Sequence, residues 1–209
     1  MKYRLCSILL VFCLSSTMMQ AQEVTIEAGK SITSFDFQDV LFGELESLQS
    51  TNQNFIEMGY RANLIGDGFQ WIAGLGVHSY GAIGNDQNNY LAWETTYLGI
   101  FAGLDLPVIR SKAFSFHLKG VIAPEFMIQG TQTLNNQVIK IVGEEDFDTP
   151  FLFLRGAASF EYKFTDTIGA FFQYRFGRGS QMSKSDDGAE LDYTSNDFGL
   201  GLIFSLASN

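Results

Sequence analysis

The sequence predicts an all-β chain folded as an eight-stranded antiparallel up-and-down transmembrane β-barrel, and three observations predict it. Large apolar side chains recur on every second residue in segment after segment, charges keep to one face of each segment, and the connections alternate between short and long. A strand has a side-chain period of two, so each segment has one greasy face and one polar or small-residue face. An even number of such strands can close on itself with its apolar face toward lipid.

The chain begins with an export signal. Lys2 and Arg4 precede an apolar stretch from Leu5 to Leu14, and Ala21 stands before Gln22 as a small residue at a cleavage point. The stretch is too short to span a bilayer as a helix, which makes residues 1–21 a secretory signal peptide and residues 22–209 the barrel domain. Cys6 and Cys13 both fall in the removed segment, so the mature chain is expected to have no disulfide and no thiolate metal site. A lipoprotein anchor at Cys13 is disfavoured by the bulky Phe12 before it. The formal net charge of −10 becomes more acidic once Lys2 and Arg4 are gone, which excludes a nucleic-acid partner. Twenty Phe against three Pro and two His demand an extensive apolar surface, yet no second long apolar run offers a transmembrane helix to hold them.

Eight segments show the alternation. The first and weakest, SITSFDFQ, carries Phe35 and Phe37. FIEMGYRANL sets Ile56, Met58, Tyr60 and Leu64 on its apolar side, and FQWIAGLGVHSY sets Trp71, Leu75 and Val77 there. TYLGIFAGLDL places Leu98, Ile100, Leu104 and Leu106 opposite Gly99, Phe101, Gly103 and Asp105. AFSFHLKGVIAPEFMIQ places Phe116, Leu118, Ile122 and Phe126 opposite Ser115, His117, Lys119 and Glu125. FLFLRGAASFEYKF and TIGAFFQYRFG continue the scheme, and FGLGLIFSL ends it with Phe198, Leu200, Leu202, Phe204 and Leu206 against Gly199, Gly201, Ile203 and Ser205. Pro124 lacks the N–H that a strand paired on both sides needs, which predicts a local irregularity in its strand.

Three connections are short (65–68, 107–112 and 165–167) and four are long and polar (39–54, 81–92, 130–150 and 177–190), in strict alternation. All the long loops therefore gather at one end and the tight turns at the other. A membrane barrel with short periplasmic turns and long extracellular loops has this asymmetry, and a Greek-key sandwich has no reason for it.

On these features the chain resembles the small eight-stranded outer-membrane barrels of Gram-negative bacteria, the OmpA/OmpX-like superfamily. The last strand, with Gly201, Phe204 and Leu206, is similar to the signal that the barrel-assembly machinery reads, although Ala207, Ser208 and Asn209 follow where a terminal aromatic is usual. The resemblance implies the outer membrane as location, with its lipids, lipopolysaccharide and the assembly machinery as partners. No peptidoglycan-binding domain is expected after the last strand.

With the apolar faces toward lipid, the other faces converge on a lumen. Its outer half is expected to hold Glu57, His78, Glu125, Arg155, Arg175 and Asp197, and its inner half Arg61, Asp105, His117, Lys119, Glu161 and Lys163. An eight-stranded barrel is only wide enough for side chains to fill, so two layers of ion pairs plugging the interior are expected rather than a pore. Gly99, Gly103, Gly199 and Gly201 leave room for long side chains from facing strands. Trp71, Tyr162 and Phe164 at one end, and Tyr80, Tyr90, Trp93 and Tyr174 at the other, read as interfacial girdles, an explanation preferred to a sugar-stacking surface at Tyr90 and Trp93.

The chemistry-bearing residues point away from catalysis. His78 and Ser79 are neighbours on a strand and project to opposite faces, so they form no nucleophile and base, and His78 and His117 lie at opposite ends of the barrel, too far apart for a two-His metal site. The acidic tips GEEDFD and SDDGAE lack the ligand spacing of a dedicated calcium loop. No cofactor and no metal are expected. The sequence therefore predicts a non-enzymatic barrel with a structural or surface-interaction role through long extracellular loops and an unnamed external ligand. The alternatives are a narrow channel for small solutes or apolar molecules and, third, a lipid A-modifying enzyme.

Overall fold

The computed structural model describes residues 22–39, 43–44, 48–65, 68–86, 89–143, 149–183 and 190–206. Residues 1–21, expected from the sequence to be a signal peptide, with Cys6 and Cys13, residues 207–209 and most of the two acidic tips (144–148 and 184–189) lie outside the described residues.

Eight long strands form the wall: β1 (Gln22–Asp39), β2 (Gln49–Ile65), β3 (Phe69–Asp86), β4 (Asn89–Arg110), β5 (Phe114–Leu134), β6 (Phe151–Lys163), β7 (Ile168–Gln181) and β8 (Glu190–Leu206). Each pairs antiparallel with its sequence neighbours, and β8 pairs with β1 from Gln22↔Leu206 to Gln38↔Glu190, which closes the barrel. Two short strands, Gly43–Glu44 and Gln137–Lys140, attach to the ends of β1 and β5.

The apolar faces turn outward as expected. Along β8, Phe198, Leu200 and Leu202 are 43%, 69% and 45% exposed, and Ile56, Met58, Leu75, Ile100, Leu154 and Phe172 on other strands are likewise exposed. So continuous an apolar exterior has no place in water and suits the hydrocarbon of a bilayer, where a closed ladder satisfies every strand edge.

The boundaries differ from the sequence expectation in three ways. β1 starts at Gln22 rather than Ser31, because Val24, Ile26 and Ala28 alternate with Glu23, Thr25 and Glu27, whose acidic side chains disguise the pattern. As a result FGLGLIFSL lies against Gln22–Lys30, and SITSFDF against the first half of β8. Phe35 then points inward, with its ring 4.4 Å from that of Tyr193. Much of the four long loops is also strand: β3 and β4 stay paired out to Asp86↔Asn89, and Thr131–Leu134 folds back on Gln137–Lys140 through Asn135 and Asn136, both at positive φ. Consecutive residues with positive φ give the turn whose twist matches a hairpin. The loop end is thus a raised extension of the wall.

Pro124 interrupts pairing without forming a bulge. Against β4 the register is the same on both sides of it, Gly99↔Glu125 and Ala102↔Ile122, with no pairs between, while pairing with β6 runs on through Pro124↔Leu152. The missing N–H therefore falls on the β4 side. The shifts of register in this hairpin lie elsewhere, at Thr96/Tyr97 and Pro107/Ile109.

Candidate functional site: the barrel lumen

Alternation sends one side chain in two into the lumen, and the strand tilt stacks these into layers. At the turn end, Arg61 on β2 is the hub. Its Nη1 donates to Asp105 Oδ2 and Glu161 Oε1, both at 2.7 Å, its Nη2 to Glu161 Oε2 at 2.9 Å, and its Nε to Glu23 Oε2 at 2.8 Å, with a further ion pair from Nη2 to Glu23. A guanidinium suits this place because five N–H donors in a fixed fork can reach carboxylates on β1, β4 and β6 at once. Lys163 stands at the mouth rather than inside: its side chain is half exposed and its Nζ lies 4.0 Å from Glu23.

His117 completes this layer. Its Nδ1 is 2.7 Å from Asp105 Oδ1 and its Nε2 is 2.9 Å from Ser115 Oγ. An ionised aspartate only accepts, so Nδ1 carries the hydrogen toward Asp105. Among the described residues, Asp105, His117 and Glu161 bring metal-ligating atoms within 4.8 Å of one another. Arg61 Nη1, at 2.7 Å from both carboxylates and 3.4 Å from His117 Nδ1, already places a cation at their centre.

Above it, Lys119 donates to Gln173 Oε1 at 2.8 Å, Gln173 donates to Glu27 Oε2 at 3.1 Å, and the Lys119 ammonium sits 5.0 Å from the Phe171 ring centre. Toward the loop end, Arg175 Nη1 donates to both Glu57 oxygens at 2.7 and 2.8 Å and its Nε to Asp197 at 2.9 Å, while His78 Nε2 lies 3.0 Å from Glu57. Arg155 Nη2 pairs with Glu125 and donates to Tyr80 Oη at 2.7 Å, and Tyr80 in turn donates to Glu125 at 2.7 Å. The two arginines also stack, Arg155 at 4.4 Å from the Phe153 ring centre and Arg175 at 4.8 Å from that of Phe55. Of the twelve charged or imidazole residues assigned to the lumen from the sequence, Asp105, His117 and Glu161 gather around Arg61, Lys119 lies in the layer above, Lys163 stands at the mouth, and the six of the outer group gather around Arg155 and Arg175.

The loop end of the lumen is closed by rings. Tyr80, Tyr97, Tyr193, Phe151 and Phe153 are 0–1% exposed, with centroids 4.6 Å apart for Phe151 and Tyr193 and 5.2 Å for Tyr80 with either Phe153 or Tyr193. Trp93, at 8% exposure, joins the same apolar cluster. Tyr80 and Trp93 therefore do not belong to a girdle, whereas Trp71, Tyr90, Tyr162, Phe164 and Tyr174 are exposed on the outside. The alternation within FQWIAGLGVHSY already places Tyr80 on the His78 face, so parity was the signal; position near a strand end was the misleading one. Below this cap lie a cavity of about 40 Å³ between the charged layers and one of about 190 Å³ at the turn end, the latter lined among others by Arg61, Arg110, Ser115, His117 and Lys163.

The glycines on the lumen face are where close approach demands them. A Cβ on Gly99 would lie 3.1 Å from Glu125, and one on Gly199 would strike Glu27. At Gly103 the obstacle is backbone rather than a long side chain, with Val121 Cα 2.9 Å from the added Cβ.

No family model and no curated protein sequence matches the chain. Solved structures do. The outer membrane protein OprG from Pseudomonas aeruginosa superposes with a TM-score of 0.58 at 9% identity, covering 91% of this chain and 98% of that one. The chain has the fold of a small outer-membrane β-barrel. Neisserial surface protein A superposes on this barrel with a TM-score of 0.54 at 10% identity, over 88% of this chain and 98% of that one. Identities this low speak for the barrel and leave its chemistry to its own lumen.

The lumen residues that sequence reasoning missed in this barrel are Glu23 and Glu27, hidden in an unrecognised half strand; the sequence places Ser115 on the lumen face but does not join it to His117. Ser115 and His117 are two apart on one strand and so share a face, a pattern that the adjacent pair His78 and Ser79 cannot match: Ser79 faces outward and lies 3.1 Å from Thr96 Oγ1.

Proposed function

We propose that the protein is an outer-membrane barrel with a structural or surface-interaction role, its lumen sealed and its raised loop end turned outward to meet lipopolysaccharide or an external partner. The observation that carries this is the aromatic cap over the charged layers, where five rings at 0–1% exposure pack against one another across the loop end of the lumen. A lumen whose three buried arginines, Arg61, Arg155 and Arg175, are each paired with carboxylates supports the same reading, since an ion route would need those charges facing water. Assembly through β8 by the outer-membrane insertion machinery fits its closing position and belongs to this proposal.

Planar-bilayer recording tests it. The purified barrel gives no steady unitary currents if the cap holds; steady currents that vanish when Arg155 and Arg175 are replaced overturn the sealed reading. The channel alternative draws its support from the two cavities stacked below the cap, and the same recording decides it. A deletion strain scored for envelope permeability and for adhesion separates a structural role from a surface-interaction role.

A further inference from the structure

We propose that Ser115, His117 and Asp105 form a serine-hydrolase triad at the turn-end mouth of the lumen, acting on small carboxylic esters. The connectivity is that of a nucleophile, a general base and an orienting carboxylate: Ser115 Oγ to His117 Nε2 at 2.9 Å, and His117 Nδ1 to Asp105 Oδ1 at 2.7 Å. Such a constellation is recognised by geometry and roles rather than by order in the chain.

Three features make the arrangement more than a chance chain of hydrogen bonds. Asp105 and His117 are buried at 0% and 4% exposure, while Ser115 is half-buried and opens on the cavity of about 190 Å³. Asp105 has its second oxygen held by Arg61 at 2.7 Å, which fixes the carboxylate and with it the imidazole tautomer. Glu161 Oε2, 3.3 Å from His117 Nε2, is placed to stabilise the imidazolium that forms when His117 takes the serine proton. The cavity is also lined by Lys163 and Arg110, cationic residues suited to a developing oxyanion. Its size admits a short-chain ester and excludes a whole lipid.

In the reaction Ser115 Oγ attacks the ester carbonyl carbon as its proton passes to His117 Nε2. The tetrahedral intermediate collapses, the C–O bond breaks, and the alcohol leaves with that proton. Water, deprotonated by the same nitrogen, then attacks the acyl-serine and releases the carboxylic acid, returning the proton to Ser115. The inference is independent of the sealed lumen, since the mouth opens on the side opposite the cap.

The test uses the folded full barrel in detergent, its folding checked for each variant by heat-modifiable migration. A fluorophosphonate probe is expected to label Ser115, located by peptide mass spectrometry, and p-nitrophenyl acetate to be hydrolysed above the buffer rate. Ser115→Ala abolishes both, His117→Gln lowers kcat/KM by about 100-fold or more, and Ser79→Ala, on the outer face, changes neither. Absence of labelling in the wild-type barrel, or hydrolysis that persists in Ser115→Ala, overturns the proposal.

Discussion

Arg61 shows most clearly how a single residue holds this interior together. Arg61 is 3% exposed, and its guanidinium neutralises carboxylates that arrive from three other strands. Removing one partner of a buried ion pair leaves the others as uncompensated charges, which costs about 3–5 kcal/mol. Arg61→Ala is therefore expected to lower the unfolding free energy by about that amount in urea titrations of the folded barrel. Arg178, which pairs with Asp192 at 2.8 Å with its side chain 67% exposed, gives the contrast: Arg178→Ala is expected to cost less than about 1 kcal/mol in the same titration. Similar costs for the two would mean that the lumen network does not carry the stability assigned to it. At this scale the sequence told which residues meet inside, because parity decides the face; it could not tell which carboxylate each arginine takes, since that depends on strand tilt and on the rotamers of long side chains.

Among the strands, β8 is the one where both faces can be tested. On the outer face, Leu200 is 69% exposed and lies near the middle of the apolar band. Leu200→Lys is expected to destabilise the barrel in lipid by about 2–4 kcal/mol, the cost of a cation at the bilayer midplane; no loss would mean that this face does not touch lipid. On the inner face, a Cβ at Gly201 would collide with the Phe171 ring and come within 2.6 Å of the Ile26 carbonyl oxygen. Backbone cannot yield as a side-chain end does, so Gly201→Val is expected to cost about 1–3 kcal/mol by overpacking, measured in the same way. β8 was legible because Phe and Leu alternate with Gly and Ser without a break. β1 was half lost, since Glu23 and Glu27 look like a polar leader until Arg61 and Gln173 are seen across the lumen as their partners. The extensions at the loop end escaped for a related reason: Gly, Asn and Asp dominate 81–92, and only cross-strand pairing out to Asp86↔Asn89 makes strand of them.

For the molecule as a whole, the division of labour is by height. The turn end is charged and open; the middle is paired; the loop end is capped by rings and extends the wall. Loop sorting and one-sided charges make the closed barrel legible in the sequence, because closure and bilayer thickness constrain a sequence more tightly than packing does. The aromatic cap was not legible as a cap, because an aromatic near a strand end serves a girdle and a plug equally well, and Tyr80 differs from Tyr90 only in which side of the sheet it occupies.

The lumen, its cap and its mouth all depend on a ladder closed by β1 and β8, and electrophoresis with and without heating tests that closure most directly. The closed barrel resists SDS, so the unheated sample is expected to run as a compact, faster species that shifts to the unfolded position on boiling. Identical migration of heated and unheated samples would contradict the closed transmembrane barrel, and with it the lumen, its cap and its proposed triad.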